Sequence, residues 1–252
     1  MTKKKYSNIN LFFRSLLFSI FSLSVIVSFS ISAIFCIPLS LHQRHKIIRQ
    51  VIKIYMFAFT RLCRIKIVIE GIENIPKDRG GVVLSKHQST WETFYLPLLF
   101  HDPAMIAKRE LLWVPFFGWA LSVSDPITIN RSNKSSAMQQ IIKKGKQCLD
   151  AGRWVVFFPE GTRTAPGHVG HYHLGGARLA TATGYPVIPV AHNAGHCWPR
   201  RKFIKRPGTI HLVVGPAIES TNRTPEEVLE LAKNWIESTM VRIDGKIDKS
   251  PS

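Results

Sequence analysis

Three short stretches of the chain hold side chains that can do chemistry. The first is Lys86-His87-Gln88-Ser89-Thr90-Trp91-Glu92. On one unbroken helix, residues five apart lie about 140° apart around the axis, so His87 and Glu92 would face different ways. They meet if His87 sits in a turn leaving a strand and Glu92 in the first turn of the next helix, with Ser89 or Thr90 as N-cap. Glu92 then accepts an N–H from one imidazole nitrogen and leaves the other as a general base. The plainer reading is a carboxylate favoured in a helix first turn beside a capped surface histidine.

The second stretch is Phe158-Pro159-Glu160-Gly161-Thr162-Arg163. Arg163 offers a planar fork of donors that suits phosphate oxygens, Thr162 a hydroxyl, and Gly161 room for a ligand or another backbone to come close. A well-formed turn with a structural ion pair is the alternative. The third stretch, AKRELLWVPFFGW over residues 107–119, opens with Lys108 and Arg109 and runs into aromatic residues suited to a lipid or acyl chain. Its plainer reading is a core helix whose lysine stem lies along apolar surface.

Each stretch needs an element to position it. Residues 82–84 read as a buried strand feeding His87, with a helix over 90–100. Residues 104–107 read as a strand leading to Lys108, and WVVFF (154–158) is the continuous apolar run of a strand covered on both faces, leading into FPEGTR. Further strands are expected at 65–70, 126–130, 186–190 and 209–214, and helices at 135–150, closed by Gly152, and at 176–183. Thr224-Pro225-Glu226-Glu227 is a capping box with proline at N1, opening a last helix to about residue 240. This alternation predicts an α/β fold: a mixed, largely parallel sheet flanked by helices, with its site beyond the carboxyl ends of the strands.

The chain has 252 residues, with 34 Lys plus Arg against 16 Asp plus Glu and a formal charge of +18. That surplus points to an anionic partner: nucleic acid, an acidic membrane surface or a phosphorylated substrate. The N-terminus favours the membrane. Residues 15–43 contain no charged side chain, and 16–38 match the roughly 20 residues a bilayer span needs. Lys3, Lys4, Lys5 and Arg14 precede the apolar stretch, and Arg44-His45-Lys46 follows it in place of a small-residue cleavage site, so a retained anchor is expected. Residues 46–64 set Lys46, Arg49, Lys53, Arg61 and Arg64 on one helical face beside a broad apolar one, as in a helix lying in an anionic interface. An N-terminal membrane helix pair over 1–64 is therefore expected, inserted either monotopically or across the bilayer.

Other chemistries find less support. Cys36, Cys63, Cys148 and Cys197 show no CxxC spacing, which offers no disulfide or zinc framework. His168, His171 and His173, with His192, His196 and Cys197 further on, raise a metal site as a rival reading, but no HExxH motif accompanies them. No GxSxG elbow marks a serine hydrolase. No RRM, KH or helix-turn-helix signature marks a nucleic-acid binder, so nucleic acid is not expected as a partner.

The motifs together resemble the glycerolipid acyltransferases. KHQSTWE is similar to that family's HX4D block, AKRELLWVPFFGW with Ile129-Asn130-Arg131 to the second block, FPEGTR to the third, and Tyr185-Pro186-Val187-Ile188-Pro189-Val190 to the fourth. The likeness covers residues 70–216 and is closest to the 1-acyl-sn-glycerol-3-phosphate acyltransferases. It implies an acyltransferase domain over 65–252 that moves a fatty acyl group from a thioester to the sn-2 hydroxyl of lysophosphatidate, giving phosphatidate. Another lysolipid or glycerol-3-phosphate as acceptor is the alternative; a membrane-anchored, non-enzymatic binder of acidic lipid or nucleic acid is the reading from a different class.

By the resemblance, His87 and Glu92 are catalytic, and Lys108, Glu160, Gly161, Thr162 and Arg163 bind substrate, Glu160 by fixing its loop. No cofactor and no metal are implied. The acyl donor would be an acyl-carrier-protein or coenzyme A thioester, and the site would lie at the cytoplasmic face of a bacterial inner membrane. A backbone N–H near Gly161, or in another turn, would stabilise the oxyanion. Three positions depart from the family pattern: Glu92 stands where aspartate is usual, Lys86 where asparagine often precedes the histidine, and His173 where many members carry lysine. A cation at Lys86 is expected to favour a neutral imidazole.

Overall fold

The computed structural model describes residues 7–129 and 134–245. Two long helices, α1 (Asn8–Cys36) and α2 (Leu41–Cys63), precede a sheet. Its strands are β1 (Ile65–Glu70), β2 (Val82–Ser85), β3 (Ala104–Lys108), β4 (Ile127–Ile129), β5 (Val155–Phe157), β6 (Val187–His192) and β7 (Gly208–Val214). The order is β1-β7-β6-β2-β5-β3-β4, and every pairing is parallel except β6 with β7. Every strand foreseen in the sequence is present, within a few residues of its expected bounds.

The centre of the sheet is buried on both faces, which is why its strands read as unbroken apolar runs. Val82, Leu84 and Val155 pack on one side against α5 (Lys134–Asp150), α6 (Gly175–Thr183) and α7 (Pro225–Asp244). Val83 and Val156 pack on the other side with α1, α2 and α3 (Trp91–Leu99). Helix α7 opens with the expected capping box, in which the Thr224 side chain accepts from Glu227 N while Glu227 accepts from the Thr224 N–H. Pro189 fits inside β6 because the antiparallel ladder with β7 begins only at Val190, so its missing N–H leaves no bond unmade.

The helix pair expected over 1–64 is not a separate layer. Phe18 of α1 and Phe59 of α2 are buried against Trp198, the first edge-on and the second tilted, with ring centroids 5.3 and 5.0 Å away. Tyr55 lies 5.3 Å from Phe18 and 4.9 Å from Phe94 of α3. The apolar cluster runs unbroken from these helices into β1, β6 and β7, so residue 64 marks a reversal of the chain (Arg64, φ 54°) and not a gap in packing. Ile52, Tyr55, Met56, Phe59 and Cys63 turn inward along α2, while Ile47, Ile54 and Phe57 face outward with Lys46 and Lys53. Arg49, expected on the solvated basic stripe, donates to Leu98 O at 3.0 Å and ties α2 to α3.

Among the described residues, α1 is long and apolar enough to cross a membrane. Much of its side is uncovered by protein: Ile9, Phe13, Leu17, Ile20, Leu23 and Ile34 are all exposed. The segment after Lys108 extends this surface. It forms a short 3-10 turn (Arg109–Trp113) and then α4 (Phe117–Val123), in place of a single core helix. Ser30 of α1 donates to Phe116 O at 2.6 Å, and Trp113, Phe116, Phe117 and Trp119 project from the protein.

Candidate active site

The five strands β6, β2, β5, β3 and β4 run in one direction and end at one edge of the sheet, and the chemistry-bearing residues follow the carboxyl ends of β2, β5 and β3. β2 delivers Lys86 and His87, β5 delivers Phe158 to Arg163, and β3 ends at Lys108. Asn130 and Arg131, part of the second motif block, lie outside the described residues.

His87 occupies the turn and Glu92 the first turn of α3, as the spacing required. The imidazole Nδ1 lies 2.9 Å from Glu92 Oε1. The same oxygen accepts the backbone N–H groups of Gln88 at 2.9 Å and Ser89 at 2.8 Å. A carboxylate only accepts, so Nδ1 carries the proton and Nε2 holds the lone pair. The ring stacks on Phe158 at 4.0 Å and 16°, and its side chain is 14 % exposed, which leaves it reachable from solvent. The cap differs in detail from the expectation. Thr90 holds the cap position without a side-chain bond; Ser89 Oγ accepts from Trp91 N at 3.1 Å and donates to Trp198 O at 2.8 Å.

Glu92 is completely buried. Burial by itself would raise its pKa; the charge that His192 and His87 carry when protonated, with the N–H donors of His87 and Ser89, outweighs burial and holds it below its ordinary value, so it is ionised at neutral pH. His192 is equally buried. Its Nε2 lies 2.8 Å from Lys86 O, to which it donates, and 3.8 Å from Glu92 Oε2. Burial depresses its pKa against the pull of Glu92, so it remains a neutral donor bracing the loop.

The FPEGTR loop is bolted to the histidine turn. Glu160 Oε2 accepts from His87 N at 2.9 Å, while Oε1 accepts from Lys86 Nζ at 2.8 Å and Thr164 Oγ1 at 3.0 Å. Thr164 N donates to His87 O at 2.8 Å. Both Glu160 oxygens are thus taken by protein groups in a side chain closed to solvent. Lys86 bridges onward to Glu237 of α7 at 2.8 Å, and Tyr172 donates to that same carboxylate oxygen at 2.6 Å. The Lys86 ammonium, expected to act on the imidazole, is met by two carboxylates and serves as a buried tie between three segments.

Gly161 has φ +64°, a conformation that favours glycine, and a Cβ there would come within 3.2 Å of His173. Its own N–H donates to Phe158 O at 2.9 Å, so it is not available as the oxyanion donor suggested by the sequence. Thr162 is exposed and Arg163 half-buried. Lys108 is exposed two strands from β2, a lateral distance on the order of 10 Å. Among the described residues, neither the Lys108 nor the Arg163 side chain has a hydrogen bond or ion pair, so both cations are open to an anion. Arg200 donates to Arg163 O at 2.8 Å, bringing a further basic side chain to this rim.

The geometry therefore joins His87, Glu92 and Glu160 in direct contact and sets Gly161, Thr162, Arg163 and Lys108 around them. Missed in the sequence were Tyr172 and Glu237, while His192 was raised only as a candidate metal ligand and not as a brace of this turn. Glu237 lies 151 residues from its partner Lys86, and no local pattern links the two.

An oriented base at a strand end, beside unpaired cations and an apolar face, is equipped to activate a hydroxyl on an anionic amphiphile. A family model described as acyltransferase matches residues 66–193, and the chain belongs to that family. It is 48 % identical over 182 residues to a 1-acyl-sn-glycerol-3-phosphate acyltransferase of Pseudomonas aeruginosa, covering 71 % of this chain and 70 % of that one. A relative of the same description from Borreliella burgdorferi is 30 % identical over 160 residues, 63 % of this chain and 64 % of that one. The crystal structure of the 1-acyl-sn-glycerophosphate acyltransferase PlsC from Thermotoga maritima superposes with a TM-score of 0.76 at 27 % identity, covering 97 % of this chain and 98 % of that one.

Proposed function

We propose that the protein transfers a fatty acyl group from an acyl thioester to the sn-2 hydroxyl of 1-acyl-sn-glycerol-3-phosphate, producing phosphatidic acid. The observation that carries this reading is the His87–Glu92 pair at 2.9 Å, in a chain 48 % identical to a relative described as a 1-acyl-sn-glycerol-3-phosphate acyltransferase. Neutral His87 takes the hydroxyl proton on Nε2 as the oxygen attacks the thioester carbonyl. Glu92 stabilises the imidazolium that forms, as in a triad. The tetrahedral intermediate then expels the thiolate, which recovers the proton from His87. No acyl-enzyme is required.

Lys108 and Arg163 are the proposed grips on the glycerol phosphate. Glu160 acts as a positioning residue, and Gly161 lets the loop turn beside His173. With the Gly161 N–H committed, the amides of Thr162 and Arg163, which have no partner among the described residues, become the proposed oxyanion donors. The donor is an acyl-carrier-protein or coenzyme A thioester arriving from the aqueous side, and no further cofactor enters the scheme. Residues 1–64 attach the 65–252 unit to the cytoplasmic face of the membrane. The exposed side of α1 and the Trp113–Trp119 aromatics support that attachment.

The test supplies membranes containing wild type or His87→Ala with lysophosphatidate and a labelled long-chain acyl thioester, and follows phosphatidate by chromatography. Product from wild type alone, at equal protein level, is the expected result. No product from wild type with either donor class would overturn the acceptor assignment. Equal product from both proteins would remove His87 from the mechanism.

A further inference from the structure

We propose that His42, His101 and Asp102 form a binding site for a divalent transition-metal cation of the zinc type, which staples α2 to the sheet. His42 lies in the first turn of α2, and His101 and Asp102 lie in the connection from α3 to β3. Two imidazoles converge on one carboxylate oxygen: Asp102 Oδ2 is 3.0 Å from His42 Nδ1 and 3.2 Å from His101 Nε2. All three ligand atoms lie within 4.8 Å of one another. Metal bonds of about 2.0–2.1 Å at the tetrahedral angle set ligand atoms about 3.3 Å apart, so the two contacts to Asp102 lie within a few tenths of an ångström of that spacing, and the two imidazole nitrogens, within 4.8 Å of each other, are brought to it by side-chain rotation.

The surroundings suit a cation. Asp102 is held from behind, its backbone oxygen accepting Arg153 Nε at 3.0 Å, the kind of outer support that fixes a ligand's aim. Its side chain is 10 % exposed, while the imidazoles of His42 and His101 are 52 % and 58 % exposed. The base of the site is thus rigid and its mouth open, leaving a fourth position for water. One helical turn along α2, His45 is buried, and its Nε2 has no hydrogen-bond partner among the described residues.

The location excludes a part in acyl transfer. His101 and Asp102 precede the amino end of β3, whereas His87 follows the carboxyl end of the parallel strand β2. A cation here acts on stability, linking the helix that carries Tyr55 and Phe59 to the loop entering the sheet. It is also distinct from the His168, His171 and His173 loop raised by the sequence.

The full-length chain in detergent would be stripped with chelator, incubated with zinc chloride, desalted and assayed for metal. Wild type is expected to retain about one zinc per chain and His42→Ala/His101→Ala close to none, with His171→Ala/His173→Ala behaving as wild type. Zinc should also raise the Tm of wild type by several degrees and leave the His42→Ala/His101→Ala variant unmoved. Cobalt titration of wild type needs no variant to fold, and the intense visible absorption of four-coordinate cobalt is expected. Equal zinc in wild type and His42→Ala/His101→Ala, or no zinc and no cobalt spectrum in wild type, would overturn the site and leave a histidine pair hydrogen-bonded to Asp102.

Discussion

The turn around His87 and the face formed by α1 and α4 lie on one polypeptide and obey opposite rules. Around His87, charged groups are buried and bonded, although the Gln88 amide and Glu92 Oε2 have no hydrogen-bond partner among the described residues. Lys86, Glu92, Glu160 and His192 are each 3 % exposed or less, with hydrogen-bonded partners. On α1 and in the turn leading to α4 large apolar groups stand open, with Phe35 at 78 % and Trp113 at 80 % exposure. Water would favour the reverse in both places. A buried ionic network costs desolvation, which precise pairing offsets, so its return is geometric: it fixes an imidazole. An exposed apolar face has unfavourable hydration until it meets another apolar phase. The two regions divide the labour. One region holds a reacting group still; the other selects the phase in which the protein works.

The comparison breaks most sharply at His87. Replacing it with alanine removes the base without emptying the core, and the rate of phosphatidate formation should fall by ~10²–10⁴-fold while thermal unfolding barely moves. A similar loss of stability in this variant would mean that the ring is chiefly a packing element on Phe158. Lys86→Met does the reverse. It strands the Glu160 and Glu237 carboxylates without their shared cation, and removing one partner of a buried pair typically costs about 3–5 kcal/mol. Denaturant unfolding of wild type and Lys86→Met measures this, and a cost near zero would show that the tie is dispensable.

Phe59→Ala probes the seam between the two regions. Phe59 is fully buried against Phe18 and Trp198, and its truncation should cost about 3–5 kcal/mol by the same unfolding measurement. A smaller cost, with α1 and α2 released while the sheet stays folded, would make residues 1–64 an independent layer. Arg163→Ala is expected to act on binding. Loss of one charge-assisted contact of about 1.5–3 kcal/mol should raise the KM for lysophosphatidate roughly 10-fold or more and leave kcat nearly unchanged. A fall in kcat at constant KM would instead place Arg163 on the reacting atoms.

The sequence made the two regions legible to different degrees. Strands such as 154–158 were plain because burial on both faces leaves an apolar run with no other reading. His87 and Glu92 were found because a strand end followed by a helix first turn brings residues five apart into contact. The 107–119 segment was harder. Its aromatics read equally as core, and Pro115 lies between a 3-10 turn and α4, whose rings stand exposed, Trp119 meeting Phe116 edge-on at 5.2 Å. Least visible were the ties through Glu237, Tyr172 and His192. These act across the fold, and a lone carboxylate on an amphipathic helix resembles any solvated one.

The smallest expected effect is one of pH, and it separates the regions by titration. His192 is held below its ordinary value of 6.5, so the folded chain stays unprotonated there while the unfolded chain takes up a proton as pH drops past 6.5. Where the unfolded state binds more protons, stability rises with pH; acidification below 6.5 therefore destabilises the fold, by about 1.4 kcal/mol per pH unit until the folded group titrates. Glu92 acts with the same sign lower down, its stabilisation being present above its ordinary 4.5 and lost as pH falls through the depressed folded value. Wild type should thus melt about 2–4 °C lower for each kcal/mol lost between roughly pH 7 and 5.5. His192→Gln keeps a donor for Lys86 O without titrating, and its Tm should be flatter across that window. An equal slope in both proteins would assign the acid sensitivity to groups outside the catalytic turn and leave His192 as packing alone.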